Sequence, residues 1–153
     1  ELLVLGRVLV VVAGIVLLLG TVTTGTGPHA GDKAQVKRLP FALERVTQLH
    51  ADSALLLTGL IVATLFAVRL AGGSAVLRAR SNWLAYTVVL QVAIGYTQYF
   101  LNLPPGVVEL HVAGATLLWS ATIWLQLGHT SGHRDPAPVE LPAVVGEVHH
   151  VPL

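Results

Sequence analysis

Four long runs of apolar residues, nearly free of charge, constrain this chain more than any other feature. In chain order, they cover residues 2–22, 53–68 (extended to 71), 83–101 and 107–127. The first run contains one charged residue, Arg7, and the fourth contains one, Glu109, each near the start of its run. Residues 53–68 and 83–101 contain none, and Arg69 lies in the extension of the second run. About 20 residues of α-helix cross the roughly 30 Å hydrocarbon core of a bilayer. The runs therefore predict an all-α membrane protein, a bundle of four transmembrane helices.

The composition agrees with this prediction and excludes several classes of site. Charged residues make up 11% of the 153 residues, whereas a soluble domain carries about a quarter. A net charge of +1 gives no electrostatic footprint for nucleic acid. The chain has no cysteine and no methionine, which excludes disulfides, thiolate-bound zinc, iron–sulfur clusters and methionine axial ligands.

The apolar pattern stops after residue 127. Residues 128–153 hold four prolines, mixed charges and the histidines His129, His133, His149 and His150. Such a composition is typical of a flexible polar tail. We therefore expect a transmembrane domain over residues 1–127 and a tail over 128–153, with a weak metal site in the tail as the less favoured alternative.

A short repeat places two histidines at matching positions. Residues 49–54 and 110–115 both read Leu-His-x-x-small-Ala, with the second histidine 61 residues after the first. The second and fourth predicted helices start on the same side of the membrane, so His50 and His111 are expected at similar depth. Two imidazoles on helices that run in parallel can face each other across a planar ligand.

The residues beside these histidines favour haem over a bare metal ion. Small side chains follow each histidine at the third and fourth positions, which share its helix face, and leave room for a macrocycle. Zinc needs more ligands, and no Cys, Asp or Glu completes a tetrahedral set within the runs. Haem iron needs only two protein ligands, and imidazole is a common one. The pair predicts haem b with His50 and His111 as axial ligands; the alternative is two buried histidines that hydrogen-bond across the bundle.

Polar and small residues mark two further helix faces. In the third run, Gln91, Gly95, Gln98 and Asn102 recur at helical spacing. We expect this stripe to bridge helices by hydrogen bonds or to border the cofactor. The first run carries Gly6, Gly14 and Gly20, which is typical of close helix packing.

Four segments together resemble haem A synthases. They are residues 24–32 (TGTGPHAGD), 45–50 (RVTQLH), 91–99 (QVAIGYTQY) and 109–112 (ELHV). Their order and spacing resemble the C-terminal half of that family, over roughly residues 1–127.

The resemblance implies one half of a pseudo-symmetric eight-helix protein of the bacterial plasma membrane. In the family, the C-terminal bundle holds haem b between two histidines, which correspond here to His50 and His111. The N-terminal bundle oxidises the C8 methyl of haem O to the formyl of haem A, and the haem b half passes electrons. This chain is expected to lack that catalytic half. His29 is not expected to be a ligand, and Glu109 is not expected to correspond to the family's catalytic glutamate.

The resemblance also implies partners, and two other functions stay open at this point. The implied partners are the N-terminal four-helix half, haem O synthase and the assembly of cytochrome oxidase, besides the lipid bilayer; a homo-oligomer is a further alternative. The second reading is a small bis-histidine membrane cytochrome that carries electrons from quinol. The third is a cofactor-free structural subunit of a respiratory complex.

The arginines predict the orientation. Residues 69–81 contain Arg69, Arg78 and Arg80 and no acid, and cytoplasmic loops are enriched in such residues. The longer connection 23–49 has a slightly higher count of basic residues, but at lower density. We expect the short arginine-rich connection and both ends of the chain to be cytoplasmic.

This orientation is testable by cysteine labelling in intact cells, because the chain has no native cysteine. A cysteine in place of Ser74 is expected to be protected from a membrane-impermeant thiol reagent, and one in place of Ala30 to be labelled. The reverse pattern would show that the basic residues of the first connection determine the topology.

Overall fold

Four α-helices make up most of the part of the chain that the structure, a computed structural model, describes: residues 1–28 and 38–131. They are α1 (Leu2–Thr26), α2 (Leu43–Leu70), α3 (Ala75–Phe100) and α4 (Pro105–Ser131). No strand occurs within these residues. The predicted all-α, four-helix architecture is confirmed.

Three of the four helices are long and apolar enough to cross a membrane, by length and composition. They are Leu2–Thr26, Leu43–Leu70 and Pro105–His129. We expected a fourth such span in the third run, and α3 is not among the three. Its 26 residues are long enough, but Gln91, Gln98, two arginines and three tyrosines lower its mean hydropathy.

The helices extend beyond the uncharged runs. α3 begins at Ala75, with the Ser74 hydroxyl accepting a hydrogen bond from the Leu77 amide at 3.2 Å. α2 ends at Leu70, and Gly72, in the turn that follows, has a φ of +66°, which suits a glycine. The connection predicted over residues 69–81 is therefore limited to 71–74: Arg69 lies in α2, and Arg78 and Arg80 lie in α3. Long basic side chains are tolerated there because they reach toward a polar surface from a helix end.

The last helix also runs further than predicted. α4 continues to Ser131, so residues 128–131 are helical and the expected tail begins four residues too early. His129, which we expected in that tail, lies within α4 and is half-buried. Residues 132–153, with the other three tail histidines, lie outside the described part of the chain.

The helices form a ring of antiparallel neighbours. α1 packs against α2 and α4, and α3 packs against the same two helices. Between the described parts of α2 and α4 there is no close backbone approach, so these two helices are diagonal partners across the bundle. Because neighbours are antiparallel, α2 and α4 run in the same direction, as predicted.

The apolar core occupies the middle of the bundle and the end that carries the arginines. Its most buried leucines, one from each helix, are Leu9, Leu57, Leu84 and Leu125, each at most 1% exposed. Toward the opposite end the buried side chains are Val16, Thr26, Gln91 and Ile94. Large buried apolar side chains are therefore fewer at the end where α2 and α4 begin, and polar side chains are buried beside them.

Candidate functional site

His50 and His111 lie at this end, one on each of the diagonal helices. His50 is in the second turn of α2, and His111 is in the second turn of α4. Both are half-buried. The predicted placement at similar depth on two parallel helices is confirmed.

The two imidazole rings come together across the bundle in a nearly perpendicular arrangement. Their centroids are 6.5 Å apart and their planes are inclined at 84°. An imidazole nitrogen binds a transition metal at about 2.0 Å and lies about 1.1 Å from its ring centre, so two rings on opposite sides of one ion have centroids about 6 Å apart. The observed separation is close to that value.

The ring of His50 is fixed by α1. Its Nδ1 lies 3.1 Å from the carbonyl oxygen of Val16. As the donor of this bond, Nδ1 carries the proton, which leaves Nε2 with a free lone pair. A Cβ on Gly20 would lie 3.1 Å from the His50 Cε1, so a glycine at this position lets the ring lie close to α1.

His111 has a similar neighbour on α3. A Cβ on Gly95 would lie 3.3 Å from the His111 Cε1. The backbone carbonyl of His111 accepts a hydrogen bond of 2.7 Å from the Gln91 side chain, which also lies against Gly114. Unlike Nδ1 of His50, Nδ1 of His111 is buried and has no hydrogen-bond partner.

The small residues predicted beside each histidine share its inward face. Ser53 and Ala54 are half-buried beside His50, and Gly114 and Ala115 are half-buried beside His111, whereas the intervening residues are exposed. The face continues to Leu57 and Leu118, which are buried in the core. This part of the site was predictable from helical periodicity.

A second correspondence, between α1 and α3, was missed by sequence reasoning. Positions 75 residues apart have the same role in the bundle. The pairs are Leu9 and Leu84, Ala13 and Val88, Val16 and Gln91, and Gly20 and Gly95. All but the glycines are buried, and each glycine contacts the histidine of the following helix. The described bundle is thus built from two similar helical hairpins. In the sequence, the only cue to this repeat beyond a common leucine is the pair of glycines, Gly20 and Gly95.

The polar stripe of α3 faces inward over most of its length. Gln91 is buried, and Gly95 and Gln98 are half-buried. The bond from Gln91 confirms the predicted helix-bridging role. Asn102 is a correction: it lies beyond α3 in the turn, is exposed and has a φ of +59°.

The remaining predicted residues lie away from the histidine pair. Glu109 is exposed on α4, and His129 lies at the other end of the bundle, against Gly6. His29 lies outside the described residues. Within residues 1–28 and 38–131, no group of three or more His, Cys, Asp or Glu side chains comes together. The described site offers two imidazoles and no further strong ligand.

Comparison with protein-family models gives no match, and comparisons with curated proteins and with solved structures give none either. The likeness to haem A synthases therefore rests on the four sequence segments alone.

The close approach of α1 to the His50 ring predicts a difference between two glycines. Gly59→Ala faces open space and is expected to raise the free energy of unfolding by about 0.5–1 kcal/mol, because alanine favours helix. Gly20→Ala is expected to give no such gain, since its Cβ would press on His50. Thermal unfolding in detergent measures both; an equal gain would contradict the proposed packing.

Proposed function

We propose that this chain is a four-helix membrane domain that binds one haem b through His50 and His111, and that it forms the haem b half of a haem A synthase. The observation that carries the proposal is the pair of imidazoles, 6.5 Å apart, on helices that lie diagonally across the bundle. The backbones of the described parts of α2 and α4 do not approach each other closely, so the two helices meet here through their side chains.

The residues present fit a haem with two histidine ligands. A haem supplies four nitrogens to its iron and takes two from the protein, which is the number of imidazoles that meet here. A ligating histidine generally donates its other ring N–H to a carbonyl, a carboxylate or water. His50 has such an acceptor in Val16. Gly20, Gly95 and Gly114 have no side chains, so the helix surfaces around the histidines are free of bulk at these positions.

The surface supports a location in lipid. Exposed large apolar side chains occur on all four helices, among them Val11, Leu18, Leu55, Phe66, Leu90 and Leu117. Apolar surface of this extent is unusual on a soluble monomer. We propose that α3 also crosses the membrane, since it is as long as its neighbours and packs antiparallel between two of the candidate spans.

The helix hydroxyls support the same location. Thr58, Thr64 and Thr122 each donate to the carbonyl oxygen four residues earlier, at 2.7–2.8 Å. Ser53 and Thr97, which are more exposed, do the same at 2.7 and 2.8 Å. A hydroxyl bonded within its own helix presents no unpaired donor to a medium without water.

Three of the four segments that resemble haem A synthases meet at the histidine pair. Residues 45–50 contribute His50, residues 109–112 contribute His111, and residues 91–99 contribute Gly95 beside it. The fourth segment, 24–32, lies partly outside the described residues. Segments that are far apart in sequence thus converge on one site, which favours the family over a chance likeness.

The chain's own residues would hold and orient the group. When bound, haem b exchanges one electron at a time, which suits support of an oxidation carried out elsewhere. His50 and His111 would hold the iron between them and would thereby keep water and oxygen away from it. We therefore assign to this domain electron transfer in haem A formation in a bacterial plasma membrane, beside the N-terminal half that carries the methyl oxidation.

Cofactor ligation is the first test. The purified chain is expected to bind one haem b as a six-coordinate, low-spin species. His50→Ala and His111→Ala are each expected to lose the haem or to become high-spin, because one axial ligand is removed. His129→Ala, a half-buried histidine at the far end of α4, is the matched control and should retain the wild-type spectrum, as should His29→Ala. An unchanged low-spin spectrum in both ligand variants would overturn the assignment.

The division of labour is the second test. Methyl oxidation of haem O needs a second macrocycle site, and the described residues offer one facing histidine pair. The chain alone, given haem O, reductant and oxygen, is expected to leave haem O unconverted, and addition of the N-terminal half should restore haem A formation. Pigment extraction and chromatography measure the product. Haem A made by the chain alone would point instead to a homo-oligomeric synthase.

A further inference from the structure

Three buried polar atoms at this end of α3 and α4 lack a hydrogen-bond partner among the described residues: Nδ1 of His111, Oε1 of Gln91 and Oε1 of Gln98. Oε1 of Gln91 lies against Gly114, further along α4 than His111, whereas the His111 ring leans toward the start of its helix. Nδ1 of His111 and Oε1 of Gln98 are therefore the pair to be explained. Leaving such a group buried and unpaired is unfavourable, so each of these atoms requires an explanation. The two are complementary: an imidazole whose Nε2 is a metal ligand carries a proton on Nδ1, and an amide oxygen accepts one.

The helix geometry brings these two side chains to one level of the bundle. Gln98 is one turn beyond Gly95 on α3, and Gly95 contacts the His111 ring. α3 and α4 are antiparallel, and side chains lean toward the N-terminal end of their own helix. The Gln98 side chain therefore leans back toward Gly95, and the His111 ring leans toward the level of Gln98. Both are half-buried on inward faces.

The two histidines differ in whether Nδ1 has a hydrogen-bond partner. Nδ1 of His50 has the Val16 carbonyl as its acceptor at 3.1 Å. At the equivalent position of the second hairpin stands Gln91, whose side chain donates to the backbone carbonyl of His111. Nδ1 of His111 has no bond to Gln91 or to any other residue that the structure describes. An acceptor for this nitrogen is therefore still to be assigned.

We propose that Gln98 is a positioning residue for His111, its amide oxygen accepting a hydrogen bond from Nδ1–H when Nε2 faces the iron. The inference rests on the bis-histidine haem site proposed above. An acceptor on Nδ1 fixes the tautomer and raises the basicity of the ligand, which favours the oxidised iron. Gln98 thus holds the His111 ring in place and lowers the midpoint potential of the bound haem.

The test compares three variants of the haem-loaded full chain by redox titration of the visible spectrum and by exposure of the reduced form to carbon monoxide. Gln98→Leu removes the acceptor; its midpoint potential is expected to rise, and carbon monoxide to displace His111 more readily. Gln98→Glu keeps an oxygen acceptor and adds negative charge; its potential is expected to fall, and resistance to carbon monoxide to be retained. Thr97→Val, on the exposed side of the same turn, is the control and should match the wild type.

The outcomes separate this inference from the proposed function. A wild-type chain that binds no haem overturns the proposed function. A wild-type chain with low-spin haem, together with unchanged potentials in both Gln98 variants, overturns only the role of Gln98. Shifts in the same direction in both variants also overturn it. A general loosening of the bundle would shift both potentials alike, whether or not residue 98 offers an acceptor. Opposite shifts support it.

Discussion

The contact of each histidine with a glycine of the preceding helix is the constraint on which the rest of the site depends. An imidazole is bulky, and an alanine at Gly20 or Gly95 would bring a methyl group to 3.1 or 3.3 Å from a ring carbon. Glycine lets the ring lie against the helix backbone. On α1, this proximity also exposes the Val16 carbonyl to Nδ1 of His50, and a carbonyl oxygen has a second lone pair to offer beside its helical bond.

The apolar core and the histidine pair occupy different parts of the bundle. Leucines from all four helices fill the middle and the arginine end, and this packing sets how far apart the diagonal helices stand. The histidine end has few large buried side chains, so the spacing imposed by the core is what leaves two rings facing each other. The distance between the imidazoles is therefore a consequence of packing remote from them.

Much of this arrangement was predictable from sequence, for identifiable reasons. Long apolar runs predict helices, and the period of 3.6 residues predicts which neighbours share the face of His50 and His111. The helix ends were not predictable from charge-free runs, because residues such as Arg78 and His129 continue the helices at their polar ends. The pairing of Gly20 with His50 was also out of reach, since it joins residues on separate helices. The role of Gln98 depends on orphaned atoms that only coordinates reveal.

The two hairpins illustrate how a repeated sequence can produce unequal environments. His50 and His111 have matching neighbours on their own helices, and each meets a glycine on the preceding helix. Their hydrogen bonds to the preceding helix are nevertheless unequal. In the first hairpin the ring of His50 donates to the backbone carbonyl of Val16, whereas in the second the side chain of Gln91 donates to the backbone carbonyl of His111. The two imidazoles thus differ in hydrogen bonding while their positions stay matched, and the difference lies in their contacts with neighbouring helices, outside the segments that carry the histidines.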